Sequence, residues 1–284
     1  MKAGFIGAGK VGCSLGKYLS THGVEVAGYY DRDTEYAEEA ARFTGSVRFA
    51  SVEDVVRESD MLFITVPDGV ISSVFDEIKV FDIREKYICH CSGSISAADA
   101  FVGIENTGAY KYSVHPLFAA NDRFETYREL ADAFFTVEGD ESHIDDIRKV
   151  LEDAGLKVKS IDSSDKAKYH LAAVITSKMV LSLIDSGIDL LMDCGFKEEE
   201  ARLAIRPLVI GNVTHALDAG TVKALTGPVE RGDVKTLERH LDQLGEPEQR
   251  QLYRLLSLRL LNIAKKKNPE RDYSELENFL GKLN

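Results

Sequence analysis

Three glycines open the chemistry of this chain. Residues 7–12 read GAGKVG, a G-x-G-x-x-G loop that follows an apolar run at 2–6 and opens a helical pattern at 10–22. Such a loop suits a diphosphate. Gly7 permits a tight turn, Gly9 lets the backbone approach the anion where a side chain would collide, and Gly12 lets the helix pack closely on a sheet. The backbone through Ala8, Lys10 and Val11 then offers N–H groups and the partial positive charge of a helix N-terminus. A strand-turn-helix whose glycines serve packing alone has the same pattern.

Asp31 ends the next apolar run, VEVAGYYD at 24–31, about 20 residues beyond Gly12, where an acidic side chain can bond ribose hydroxyls. That favours NAD. Arg32 could instead pair with the extra phosphate of NADP if Asp31 turned away, and Asp31 could also simply cap the helix that starts near Asp33. The expected cofactor is NAD or NADP, leaning to NAD. VPD at 66–68 and CSG at 91–93 end two further apolar runs. Ligands of open parallel sheets lie beyond the carboxyl ends of strands. Val66 and Pro67 are therefore expected near the riboses, and Ser92 and Gly93 nearer the reactive end. No metal is expected at Cys89-His90-Cys91, because alternate strand residues point to opposite faces and no second cysteine pair completes a zinc shell.

These groups need a scaffold, and the chain alternates accordingly. Strand patterns at 2–6, 24–31, 46–49, 60–68, 86–92, 133–138 and 156–159 alternate with helical ones at 10–22, 33–43, 52–58, 70–78 and 141–154, and one more helix is expected after HPLF at 115–118. This predicts an α/β fold with a parallel, doubly wound Rossmann sheet over 1–160. After Ser160 the pattern turns helical. IDSSDK (161–166) reads as a linker ending in a helix cap, followed by helices near 165–194, 197–218, 232–243 and 247–266. Residues 161–284 are thus expected to form an all-helical C-terminal domain for substrate binding and dimerisation.

The formal net charge of -12 disfavours nucleic acid and acidic membrane surfaces as partners. His170, Lys178, Asp185 and Asp189 lie in or beside the longest apolar stretch, 171–191, and argue against a membrane span. No signal peptide is expected ahead of the glycine loop. The four cysteines suggest no disulfide framework, so a reducing cytoplasm is the expected compartment.

The segments GAGKVG, VPD, HCSGS, SVHPL, YHLAAV and LTGPVERGD together resemble Rossmann-like reductases with a helical C-terminal domain of unknown function. Those are relatives of ketopantoate reductases, pyrroline-5-carboxylate reductases and 6-phosphogluconate-dehydrogenase-like enzymes. The resemblance covers nearly the whole chain. It implies hydride transfer from a nicotinamide cofactor to a small 2-keto acid, with 2-dehydropantoate (ketopantoate) as leading candidate and pantothenate biosynthesis as setting. It also implies Ser92 beside the nicotinamide, His115 at the domain junction, His170 on the first helix of the second domain, and TGPVERGD (226–233) as a loop at the cleft. The chain departs from its relatives at Ser177-Lys178, where they often carry Ser-Asn. Related dehydrogenases use a lysine in K-x-x-x-N on this helix, whereas Lys168 and Lys178 have Ala172 and Ser182 four residues on.

Carbonyl reduction needs stabilisation of an alkoxide and a proton donor. His170 or Lys178 is expected as the acid, with Ser92, His115 and Asn212 orienting substrate and Arg231 available for a carboxylate. At ~100° per residue, Ser177 shares the helix face of His170, while Lys178 falls near Asp185 and Asp189 and could equally sit in a surface ion pair. Asn212 interrupts the apolar LVIGNVTHAL, where a buried amide would need a partner. An imine or 3-keto acid reductase, or a dinucleotide sensor or scaffold without catalysis, remains open. The long apolar helices predict a homodimer.

Overall fold

The computed structural model describes residues 1–282. Short runs rich in apolar residues form the strands β1 (Ala3–Ile6), β2 (Val26–Tyr30), β4 (Met61–Ile64) and β5 (Tyr87–His90), with the two-residue β3 (Val47–Arg48) at the edge. All four residues of β1 and of β4 are buried. Continuous burial follows from helices on both faces of the sheet, so these strands read as apolar runs and not as alternations. The helices between them are α1 (Lys10–Thr21), α2 (Thr34–Thr44), α3 (Val52–Glu58) and α4 (Ile71–Ile78). On one face Phe5 stacks between Tyr29 and Phe63, at centroid distances of 5.0 and 5.2 Å. The three are register partners on adjacent strands, so their rings help fix the pairing.

The chain continues through α5 (Ala97–Ala100), β6 (Tyr110–Leu117), β7 (Phe134–Gly139), α6 (Ile144–Asp153) and β8 (Lys157–Ser160). The strand order is β3-β2-β1-β4-β5-β6-β7-β8. The order reverses between β1 and β4, which opens a crevice at their carboxyl ends. Two features differ from the expectation. The strand β6 occupies a stretch where none was predicted, and β7 runs antiparallel to it, so the sheet is parallel except for that pair. Pro116 fits β6 because β5 pairs only as far as Ser113, so the missing N–H falls beyond the β5 ladder.

Strands end at Ser160, where the composition changes. The chain divides into two compact units further on, Met1–Val180 and Leu181–Asn284, inside the 28-residue helix α7 (Lys166–Asp193). The second unit contains α8 (Glu198–Ala219), α9 (Thr221–Ala224), α10 (Pro228–Arg231), α11 (Val234–Asp242), α12 (Pro247–Lys267) and α13 (Ser274–Lys282), the last not anticipated. Its own core includes Val229, Leu237, Leu261, Tyr273 and Leu280. The segment Ser163–Asp193, with a mean hydropathy of 1.5 in its best window, is long and apolar enough to cross a membrane by length and composition alone.

Candidate functional site

A cleft of about 420 Å³ lies at the crevice between β1 and β4, lined in part by Gly7, Gly9, Asp31, Arg32, Val66 and Pro67. Each glycine has a separate physical role. Gly7 has φ +105°, and a Cβ there would lie 2.6 Å from the Thr65 carbonyl oxygen. A Cβ on Gly12 would lie 2.4 Å from the Gly7 oxygen. A Cβ on Gly9 would meet no protein atom within 4 Å, so the backbone there lies open to an approaching group. Among the described residues no side chain caps the N-terminus of α1, and its first turn holds no acidic residue. An uncapped helix end beside an open backbone approach fits a dinucleotide diphosphate.

Asp31 does not cap α2; Asp33 does, accepting from the N–H groups of Glu35 and Tyr36 at 3.0 and 3.4 Å. The Asp31 carboxylate instead accepts from Ala8 N–H at 2.7 Å and Asp33 N–H at 2.9 Å, which ties the end of β2 to the glycine loop. The Ala8 amide is therefore held by protein. Lys10 is exposed and Val11 half-buried at the start of α1. Arg32 is exposed, with its guanidinium 3.8 Å from Glu77. Arg123, not singled out from sequence, reaches the same loop. It donates to the Ala8 oxygen at 3.1 Å, pairs with Glu39 at 2.7 Å and lies 4.0 Å over the Tyr36 ring.

The second part of the site is a group of polar side chains at the ends of β5 and β6. Ser92 is buried, and its hydroxyl donates to Asp68 Oδ2 at 2.8 Å. The Ser92 oxygen accepts from the N–H groups of Ser94 and Ile95 at 3.2 and 3.3 Å. The side chain thus shapes the turn. Gly93 admits the His115 ring, since a Cβ at Gly93 would lie 2.7 Å from His115 Nε2. On the other side of that ring, Nδ1 is 2.7 Å from the Tyr169 hydroxyl. With Tyr169 as donor, Nε2 carries the imidazole proton and faces the turn. Burial pushes the His115 pKa down to about 4, and the charges of Lys166 and His170 push it the same way, so the ring is neutral near pH 7.

Below that pair, His90, Ser113 and Glu138 are register partners on β5, β6 and β7, and all three are buried. Lys166, only 3% exposed, donates to the Ser113 hydroxyl, which in turn donates to the Ser92 carbonyl at 3.2 Å. Glu138 accepts from Ala97 N–H at 3.0 Å, and burial raises its pKa. His90 Nδ1 accepts from Ser92 N–H at 3.1 Å, and burial lowers the His90 pKa to about 3. Burial also lowers Lys166, to about 8. Cys89 packs in the core on the opposite face, as strand alternation requires.

Sequence reasoning missed Lys166 and Tyr169. The signal for Lys166 was a cation in the first turn of an apolar helix, where the helix dipole opposes it. His170 is half-buried beside them. The expected neighbour Ser177 is exposed and donates to the Ala173 carbonyl at 2.6 Å, its own helix supplying the acceptor. Lys178 is exposed and forms none of the ion pairs found among the described residues, so the surface ion pair weighed against its catalytic role is not made. Asn212 is not buried. It is exposed on α8 and donates to the Leu208 carbonyl at 2.9 Å, which satisfies the amide without a ligand. Arg231 ends α10, whose Glu230 carbonyl is held by Arg271 and Tyr273 at 2.6 Å each.

Residues 1–116 match the model of a Rossmann-like domain, and residues 133–260 match a Domain of unknown function (DUF2520). Pyrroline-5-carboxylate reductase 2 of Rattus norvegicus is 33% identical over 108 residues, 35% of this chain and 33% of that protein. The match therefore spans about a third of that relative's length. Among solved structures, protein TM1727 from Thermotoga maritima shares the fold with a TM-score of 0.73 and 24% identity, over 94% of this chain and 99% of that one. An imine reductase from Myxococcus stipitatus in complex with NADP+ gives 0.62 and 18%, over 99% and 100%. These likenesses are of fold, and function has to be argued from the site.

Proposed function

We propose that this chain, a Rossmann-like domain joined to the domain of unknown function, is an NAD(P)-dependent reductase of a small 2-keto acid, with ketopantoate as first candidate. One observation carries the reading. The carboxyl ends of one sheet hold both an open glycine cradle after β1 with an acidic strand end beside it and, three strands along from β1, a half-buried neutral imidazole backed by a tyrosine. Those are the demands of the two ends of a nicotinamide dinucleotide and of the carbonyl it reduces.

Gly7, Gly9, Lys10, Val11 and Gly12 would hold the diphosphate, Asp31 the ribose hydroxyls, and Val66 and Pro67 the apolar wall. When bound, the reduced nicotinamide supplies a hydride to the carbonyl carbon. The protein's part is the proton. As the carbonyl π pair becomes an alkoxide, His115 Nε2 gives its proton to that oxygen, and Nδ1 takes the proton of Tyr169, which solvent restores. General acid catalysis of this kind contributes ~10²–10⁴-fold. The Ser92 and Ser94 hydroxyls on Asp68 hold the turn against which the reacting group would sit.

The names of the relatives, pyrroline-5-carboxylate reductase and imine reductase, support a second reading, reduction of C=N. The assay that tests both follows nicotinamide absorbance with NADH and NADPH against ketopantoate and pyrroline-5-carboxylate. Consumption with ketopantoate supports the first reading, and consumption with the imine alone supports the second. Saturable dinucleotide binding without consumption of either leaves a sensor or scaffold.

The reading includes a homodimer in a reducing cytoplasm. Leu171, Ile175 and Met179 follow one another at four-residue spacing on α7 and are 51%, 47% and 51% exposed. A second copy would remove that apolar stripe from water. A monomer by light scattering at micromolar concentration sinks this part.

A further inference from the structure

We infer that Lys166 is a specificity-determining residue whose buried ammonium, two hydrogen bonds from the Ser92 carbonyl, reserves the adjoining site for carbonyls and excludes iminium cations. This rests on the reading of the Ser92–His115 turn as the reactive end of a reductase.

The two reductions differ in charge. A carbonyl enters neutral at the reacting carbon and leaves negative charge on its oxygen. An iminium enters as a cation and becomes a neutral amine. A fixed positive charge nearby stabilises the first transition state and repels the second substrate. The sign of the field therefore decides the substrate class.

Two carboxylates, Glu138 and Asp68, face Lys166 and oppose it, but geometry and exposure weaken them at the turn. Neither forms an ion pair with Lys166 among the described residues. Glu138 is turned toward Ala97 N–H on α5. Asp68 is exposed, with one oxygen shared by two serine hydroxyls, and water screens an exposed charge more than a buried one. The His115 ring reports the balance. Of the charges that act on it, Lys166 lowers its proton affinity most, while Asp68, the one carboxylate felt there, acts least. Among the charges that act on the ring, the cationic side therefore outweighs the carboxylate.

The first test needs no activity. In Lys166→Met the His115 imidazole, followed by NMR, should titrate higher than its wild-type value; an unchanged His115 pKa overturns the inference. The second test compares kcat/KM for a 2-keto acid with that for an N-methyl cyclic iminium, whose charge does not titrate. A ratio within one preparation cancels the folded fraction. It should fall at least ten-fold in Lys166→Met and by less in Ser113→Ala, which frees the ammonium from its anchor. A ratio changed less than two-fold in both overturns the inference.

Should Lys166→Met not fold, the wild-type ratio against pH replaces it. The groups facing Lys166 are Glu138, His90, Cys91, His115 and Asp68. His90 and His115 are held near 3 and 4 and Cys91 is pushed up to about 12, all outside pH 7 to 9, whereas Lys166, lowered to about 8, falls inside it. The ratio should fall as pH rises through about 8. A flat ratio over that window overturns the inference. Wild-type protein that turns over neither substrate removes the proposed function, while the NMR result still judges whether the charge reaches His115.

Discussion

The Tyr169 hydroxyl lies 2.7 Å from His115 Nδ1, and the opposite nitrogen of that ring is pressed against Gly93. With that hydroxyl as donor, one side chain of α7 sets the tautomer of an imidazole on β6 and aims its proton at the turn after β5. His115→Ala should lower kcat by ~10²–10³-fold, within the range for a lost general acid. Tyr169→Phe should lower it about ten-fold, because the ring stays but its tautomer is no longer fixed. Dinucleotide Kd, measured by fluorescence, should stay within two-fold in both. A large loss of cofactor affinity would show that the pair shapes the cleft and not the proton path.

Gly9 and Gly12 separate binding from folding. The Gly9 backbone is extended, at φ −71° and ψ −168°, and a methyl there would meet no protein atom within 4 Å. Gly9→Ala should leave Tm within a degree or two and weaken dinucleotide binding at least ten-fold. Gly12→Ala would press a Cβ to 2.4 Å from the Gly7 oxygen, which is backbone and cannot yield cheaply. It should cost ~1–3 kcal/mol by overpacking, read from the urea midpoint. Normal binding in Gly9→Ala would remove the diphosphate from the cradle.

The glycine loop was legible because its constraint is local: turn, approach and packing all fall within six residues. The reactive end was legible only in part: Ser92, Gly93 and His115 were named, but Lys166 and Tyr169 were not, because that end is assembled across strands and a helix. Segment 110–116 alternates apolar and polar side chains, with Tyr112 and Val114 on one face and Ser113 and His115 on the other. Its polar side chains nevertheless broke the apolar run by which the other strands were found. Lys166 was hidden at the end of what read as a linker, and only the row His90–Ser113–Glu138 explains a buried lysine there. Asn212 shows the opposite error. The apolar stretch around it suggested burial, yet Leu208, Ile210 and Val213 are themselves exposed in this chain.

Asp31 should govern cofactor preference. Its carboxylate is fixed by Ala8 and Asp33 N–H groups and cannot turn away without losing both bonds. Negative charge at this strand end disfavours the extra phosphate of NADP. Asp31→Ser should shift the ratio of kcat/KM for NADH over NADPH toward NADPH by ten-fold or more, with Arg32 already exposed beside it. An unshifted ratio means that the ribose lies elsewhere.

Two neutral histidines should make the fold acid-sensitive. Burial holds His90 and His115 at about 3 and 4, below the ~6.5 of an unfolded chain. Between those values the unfolded state binds protons that the folded state refuses, so stability falls as pH falls. The contribution is fully present above pH ~6.5 and is lost on the way down to the folded pKa values, each group adding a slope of up to ~1.4 kcal/mol per pH unit. Urea midpoints should hold between pH 7.5 and about 6.5 and fall from there to pH 4.5. His115→Asn should flatten the curve, because one of the two histidines that gain a proton on unfolding is gone. If the variant shows the full wild-type slope, His115 is already protonated in the folded protein, and a neutral Nε2 donor at the Gly93 turn cannot stand.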